Sequence, residues 1–257
     1  MKRIKNIINL IDQFLKNILF IFLSEKKFNF SIFFIIKYII LYVYNFINNI
    51  LIINNKFKKD KKDFISFTKK LKFTNDWFTN NIPVWISAFK KNVKNQKIKI
   101  LEIGSYEGMS AIFFLKYFDS SKIDCVETFE GSKEHSSVNF NKIKNNFQDN
   151  MSDFGNRYNL YEMTSDIFFF KTKDTNETYD IIYIDGSHES EQVLKDAENS
   201  FKKLNKNGLI IFDDFLRKYY TDKKLNPFSA ILKFIQMHKK EIKVIYVGYQ
   251  LILKKET

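Results

Sequence analysis

One cysteine, two prolines and seven glycines are all that the 257 residues contain, and alanine and arginine are scarcer than usual, at four and three. The single thiol, Cys125, excludes an intramolecular disulfide and fits a reducing compartment. It lies in an apolar run, where packing is its expected role. With so few arginines, the formal net charge of +13 rests on lysine, which disfavours bidentate reading of bases or phosphates. The charge is also uneven: residues 1–70 hold 14 Lys and Arg against 4 Asp and Glu, and the remaining 187 residues hold 28 against 25. The basic character therefore belongs to an N-terminal arm and does not mark a nucleic-acid partner. No small-residue cleavage site follows the first apolar run, so no secretory signal is read. The shortage of Gly, Pro and Ala beside abundant Lys, Ile, Asn and Phe is a compositional bias, so single Lys and Asn residues carry little weight.

A hydrophobic content of 45% suits a sizeable core, and the length gives one ordinary domain plus an appendage. The division expected is a helical arm over 1–70 and a catalytic-type domain over 71–257. In the arm, Ile4, Ile7, Ile8, Ile11, Phe14, Leu15, Ile18 and Leu19 share one helical face, with Asn6, Asn9, Asp12, Gln13, Lys16 and Asn17 opposite. Residues 30–53 are apolar nearly all round, interrupted by Lys37, Asn45, Asn48 and Asn49. About sixteen apolar residues at roughly −0.3 to −0.6 kcal/mol each oppose one Lys at roughly +2.5 to +3.5 kcal/mol, and three Asn besides. That balance leaves three readings open: insertion in a membrane, an in-plane helix on an anionic membrane surface, or an arm packed on the domain or on a second copy in a homo-oligomer. Cytoplasmic placement is expected, with residues 1–55 as the segment that would attach to the cytoplasmic membrane face. The run KFKKDKK, 56–62, reads as a solvated linker. Two or three helices are expected over 64–95, with Trp77 and Trp85 as core residues on their apolar faces.

The most informative stretch is KIKILEIGSYEGMS, 97–110. Ile98, Ile100, Leu101 and Ile103 have the pattern of a strand buried on both faces, ending at Gly104. After Ser105, Tyr106, Glu107 and Gly108, apolar residues recur at helical spacing, so the chain runs strand, glycine turn, helix. Such a turn opens a nucleotide-type site above a helix N-terminus. A dinucleotide fingerprint needs glycine where this sequence has Tyr106, which would obstruct a pyrophosphate. S-adenosylmethionine (SAM) has no phosphate; its carboxylate suits a helix N-terminus and the Ser110 hydroxyl, and its sulfonium tolerates acids such as Glu102. From 98 onward, strands are expected at 98–103, 122–128, 158–163, 179–185, 207–213, 242–247 and 249–254, and helices near 108–118, 135–148, 189–204 and 227–239. The fold class that follows is α/β, a doubly wound, mostly parallel seven-stranded sheet. Its last two strands lie too close in sequence for a crossover and must form an antiparallel hairpin.

Acids stand at the strand ends. Glu127 closes the second strand, about two dozen residues beyond the first glycine, where an acid can accept both ribose hydroxyls of an adenosine ligand. The fourth strand runs into Asp185, Gly186, Ser187 and His188, and the fifth into Asp213 and Asp214. Three carboxylates on adjacent strands repel unless protonated or neutralised by a cation, and a hard divalent ion such as Mg²⁺ answers that need and would hold and acidify a substrate hydroxyl. His188, with an ordinary pKa near 6.5, suits a general base at neutral pH. His135 and His238 lack such a context and read as surface or helix-packing residues.

LEIGSYEGMS resembles the first motif of class I SAM-dependent methyltransferases, closest to the metal-dependent catechol O-methyltransferase type. The resemblance covers roughly 72–257. It implies a SAM site at Glu102, Gly104, Ser105, Tyr106, Gly108, Ser110 and Glu127, with Ser165 and Asp166 beside the adenine. It implies metal ligands at Asp185, Asp213 and Asp214, of which Asp185 is also catalytic, and it puts His188 where catechol enzymes carry a basic Lys. The Asp-Asp pair at 213–214 departs from the acidic/amide pair of that type. The activity implied is SAM- and Mg²⁺-dependent methylation of a hydroxyl on a small molecule such as a sugar or phenol. An N-methyltransferase is disfavoured, because no Asn-Pro-Pro-Tyr-type motif occurs. A SAM-binding or scaffolding protein without turnover is the non-enzyme alternative. The acceptor pocket is expected among the N-terminal helices and the loop from Phe215 to Phe228.

Overall fold

A computed structural model describes residues 2–28, 32–89, 97–131, 139–218 and 226–257. His135, the opening of the helix expected at 135–148 and residues 219–225 of the expected acceptor loop lie outside them.

At the centre of the sheet, the apolar runs 99–103 and 179–184 become strands because both faces are covered, so no polar alternation is needed. The strands are β1 (Lys99–Ile103), β2 (Lys122–Val126), β3 (Tyr158–Tyr161), β4 (Tyr179–Ile184), β5 (Leu204–Phe212), β6 (Ile242–Val247) and β7 (Leu251–Lys255). They form one sheet in the order β3-β2-β1-β4-β5-β7-β6. Strands β1 to β5 pair in parallel, and β7 runs antiparallel to both β5 and β6, as the short C-terminal connection requires. Register fixes where the loops emerge. Ile103 pairs with Ile184 and Ile184 with Phe212, and the ladder continues with Asp185 N donating to Ile103 O at 2.8 Å and Asp213 N to Ile184 O at 2.9 Å. Gly104, Asp185 and Asp213 are thus set side by side at one edge of the sheet.

The arm is helical: α1 (Lys2–Phe28), α2 (Ile32–Asn48), a π-helical stretch Asn49–Ile53, α3 (Asn54–Lys56) and α4 (Lys58–Thr68). Residues 56–62, expected as a linker, are therefore helical on both sides of a turn at Phe57. Phe64 on the next turn is buried against Phe78 and Phe113, and the lysines form the solvated face of the same helix. Next come α5 (Ile82–Ala88), α6 (Met109–Tyr117), α7 (Phe140–Met151), α8 (Ser165–Lys171), α9 (Ser190–Lys203) and α10 (Pro227–Met237).

One face of the sheet, with Leu101, Ile103, Ile182, Ile184, Ile210 and Phe212, packs on α8, α9 and α10. The other, with Ile100, Cys125, Ile181, Tyr183 and Ile211, packs on α4, α5, α6 and α7. Consecutive residues such as Ile100 and Leu101 enter opposite cores, the period-2 consequence of the pleat. The arm joins the first core through Phe20, Ile21, Ile35, Tyr38 and Tyr42, with the Phe20 ring 4.9 Å from that of Phe228. His238 packs on Phe201 and Phe234 and bonds Glu198 and Glu241, the helix-packing role expected of it.

Candidate active site

A cavity of about 1390 Å³ opens at the sheet edge where β1, β2, β4 and β5 end. That exceeds the roughly 300–1,000 Å³ of an ordinary single-ligand pocket, so two molecules fit side by side.

The glycine turn makes its floor. Gly104 has φ +86°, and a Cβ there would lie 2.1 Å from the Asp185 carbonyl oxygen, so only glycine lets the two strand ends pass this closely. Tyr106 also adopts positive φ, and Gly108 in the left-handed region caps α6. Glu127 fastens this turn: its carboxylate accepts from Ser105 N (2.9 Å), Tyr106 N (2.8 Å) and Phe129 N (2.8 Å). Gly104, Ser105, Tyr106, Ser110, Glu127, Ser165 and Asp166 all line the cavity. Glu102 and Gly108 do not. Glu102 is wholly buried beneath the turn, accepting the hydroxyls of Ser105 (2.6 Å) and Ser110, and burial pushes its carboxyl up to about 7. The Ser110 hydroxyl, expected to face a ligand carboxylate, is thus spent on Glu102. Ser165 and Asp166 open α8, a helix that sequence periodicity did not reveal, and both accept from Gln192.

Across the cavity stand the strand-end acids. Burial, then the charges of Asp213 and Asp214, hold the Asp185 carboxyl well above the usual range, and Tyr183 donates to it at 2.9 Å. Burial and Asp214 push Asp213 up to about 6. Asp214 carries φ +54°, an uncommon backbone state for a side-chain-bearing residue, accepts the Tyr249 hydroxyl, and lies 3.0 Å from His188 Nε2. Ligand atoms of Asp185, His188 and Asp214 lie within 4.8 Å of one another, a spacing that fits a metal ion. The donor set is oxygen-rich and mutually repulsive, so the residues fit a hard divalent cation. Asp213, the third acid expected as a ligand, lines the same cavity beside Asp185 and is oriented through Gln250: Trp85 Nε1 donates to Gln250 Oε1 (2.7 Å), and Gln250 Nε2 donates to Asp213 Oδ1 (2.7 Å).

Several wall residues had no signal in the sequence. Trp77, expected in a core, is 58% exposed and lines the cavity with its ring 5.1 Å from that of Tyr106, whereas Trp85 is fully buried as expected. Glu107 is buried and ties the turn to Thr74 N (2.7 Å) and Asn146 (2.7 Å). Asn49, from the π-helical end of α2, also reaches the wall, and its buried Oδ1 has no hydrogen-bond partner among the described residues. A π-helical stretch beside a cavity marks the sort of local distortion found at functional sites, but nothing in local composition betrays one.

Residues 101–215 match the methyltransferase domain family. A protein of Acanthamoeba polyphaga mimivirus described as uncharacterized is 28% identical over 145 residues, 54% of this chain, which spans 61% of that relative's length. Among solved structures, an O-methyltransferase from Bacillus cereus in complex with SAH superposes with TM-score 0.51 at 14% identity, covering 86% of this chain and 100% of that one. MycE methyltransferase from the mycinamycin biosynthetic pathway, in complex with Mg and SAH, gives 0.53 at 19% identity over 77% and 55%. At these identities the structural likeness concerns the fold. Strand order and glycine turn agree with these comparisons: the chain has the class I methyltransferase fold, and its residues 101–215 match the methyltransferase domain family.

Proposed function

We propose that the protein transfers the methyl group of SAM to a hydroxyl of a small molecule, with a divalent cation held by Asp185, Asp213 and Asp214. The observation that carries this reading is the juxtaposition, in one cavity, of the Glu127-fastened glycine turn with three strand-end carboxylates and a histidine 3.0 Å from one of them. Mg²⁺, when bound, supplies the positive charge that holds an acceptor oxygen and favours its ionisation. Glu127, held in place by the turn amides, binds the adenosine portion, with Ser165 and Asp166 at the base. His188 takes the proton that the acceptor hydroxyl releases as its oxygen bonds the methyl carbon and the carbon–sulfur bond breaks. Asp214, beside His188 Nε2, stabilises the imidazolium so formed. Histidine rather than aspartate in this role fits an ion that prefers oxygen ligands. The acceptor is a small hydroxylated molecule such as a sugar or phenol.

Calorimetry of the full-length protein with SAM, followed by methyl transfer from labelled SAM to a panel of sugars and phenols with and without chelator, tests the reading. Binding of SAM, and transfer that EDTA abolishes and Mg²⁺ restores, is the expected result. No SAM binding by folded protein would remove the cofactor, full activity in chelator would remove the metal, and binding without turnover on any acceptor would favour the scaffolding alternative.

A further inference from the structure

We propose that the arm is an in-plane docking device for an anionic lipid bilayer. Helix α2 has two opposite stripes. Ile35, Tyr38, Tyr42 and Asn45 are buried, the first three in the core under the sheet, whereas Phe33, Ile36, Ile40, Tyr44, Ile47 and Leu51 are exposed. Helix α1 repeats the arrangement: Phe20 and Ile21 are buried, and Ile11, Leu15, Leu19 and Phe22 are exposed. Of nineteen large hydrophobic side chains exposed among the described residues, fourteen lie between residues 10 and 52. A soluble surface rarely gathers so much apolar area without a partner.

The helix Ile32–Lys56 is long and apolar enough to cross a membrane. Its buried stripe, however, holds it along the domain, so a bilayer would meet it sideways, as an interfacial helix does. The exposed Lys37, within the run, reaches the headgroups from that orientation. Charge decides the partner. Directly after the apolar stripe, Lys56, Lys58, Lys59 and Lys62 are exposed, and residues 1–70 carry ten net positive charges. Two such arms facing each other would repel, which disfavours a second copy, whereas an anionic leaflet attracts every one of these lysines. The apolar stripes and the lysines together match a surface that is apolar beneath and negative at its rim.

Flotation of full-length protein with phosphatidylserine-containing vesicles and with pure phosphatidylcholine vesicles tests this without any methyl-transfer readout. Co-flotation with the anionic vesicles is expected. A Lys58→Glu, Lys59→Glu, Lys62→Glu variant should bind them about 100-fold more weakly, roughly fivefold per lysine. A Leu15→Glu, Ile40→Glu, Leu51→Glu variant should lose binding to the anionic vesicles, and the unaltered protein should float less with pure phosphatidylcholine. All six substituted sites are exposed, and all but Leu15 and Ile40 lie near the α2–α4 junction, so thermal melts should show these variants folded. Protein that stays in the aqueous phase with anionic vesicles would overturn the proposal. So would a discrete oligomer, in ultracentrifugation without detergent, that the apolar variant converts to monomer, since that assigns the face to a second copy.

Discussion

Replacing Glu102 by Gln should make the metal-free protein more stable at pH 8 and leave it nearly unchanged at pH 5. Glu102 is completely buried, with two serine hydroxyls and the Cys125 thiol as donors and the Glu127 charge nearby. Its carboxyl ionises at about 7, because burial penalises the charged form more than the hydroxyls favour it. Between the ordinary 4.5 and about 7 the folded chain keeps a proton that the unfolded chain has released. Stability from this group is therefore fully present below pH about 4.5 and is lost as pH rises through about 7. The gap corresponds to about 3 kcal/mol in the limit, of which about 2.5 kcal/mol falls between pH 5 and 8. Gln has the shape of the protonated acid but cannot ionise, so the variant escapes this loss. For a chain of this size that amounts to roughly 5–10 °C in Tm at pH 8. Thermal melts of both proteins in chelator, across that pH range, read the difference directly, and Asp185, Asp196 and Asp213 cancel because both proteins share them. Parallel curves, with the variant no better at pH 8 than at pH 5, would refute the reasoning. Glu102→Ala should instead destabilise at every pH, because Ser105 and Ser110 lose their shared acceptor.

His188→Ala should lower kcat by about 10² to 10⁴ with little change in SAM affinity, and the acidic limb of the pH–rate profile should vanish; a tenfold or smaller loss would make the histidine structural. Gly104→Ala should cost more than about 2 kcal/mol and abolish SAM binding, since its Cβ would meet the Asp185 backbone, which cannot yield as a flexible side chain would; calorimetry and melts check both. Trp85→Phe keeps an aromatic ring but frees the Gln250 amide that orients Asp213, so titration of metal binding should show about 10- to 100-fold weaker affinity, with SAM affinity retained.

What was legible in the sequence was whatever depends on neighbours along the chain. Strands buried on both faces write continuous apolar runs, which is why β1 and β4 lie within a residue of the expected limits. The glycine turn and the strand-end acids were legible for the same reason: each terminates such a run. Elements whose character is set by distant partners were not. Residues 56–62 look alike as a linker or as the wet face of a helix, and only the packing of Phe64 on Phe113 distinguishes them. Trp77 and Trp85 sit in similar apolar stretches, yet one lines the cavity and the other is locked in the core by an acceptor 165 residues away. The seven residues of α8 are too few to show a period, and Thr164 marks their start only through its bond from Ile167 N.

The cavity's carboxylates divide by how each is satisfied, and that division bears on what each can bind. Glu127 receives three backbone amides, all from the β1 and β2 turns, so its orientation is fixed before any ligand arrives, and a ribose that meets it pays little further ordering cost. Asp185 receives one tyrosine hydroxyl and faces two other acids, an arrangement that burial makes worse. A proton relieves that repulsion at low pH, and a cation can relieve it at neutral pH, so proton and cation compete for the same oxygens. Affinity for a divalent ion should therefore fall as the pH drops below the raised carboxyl range, and a metal titration across that range reads the competition directly.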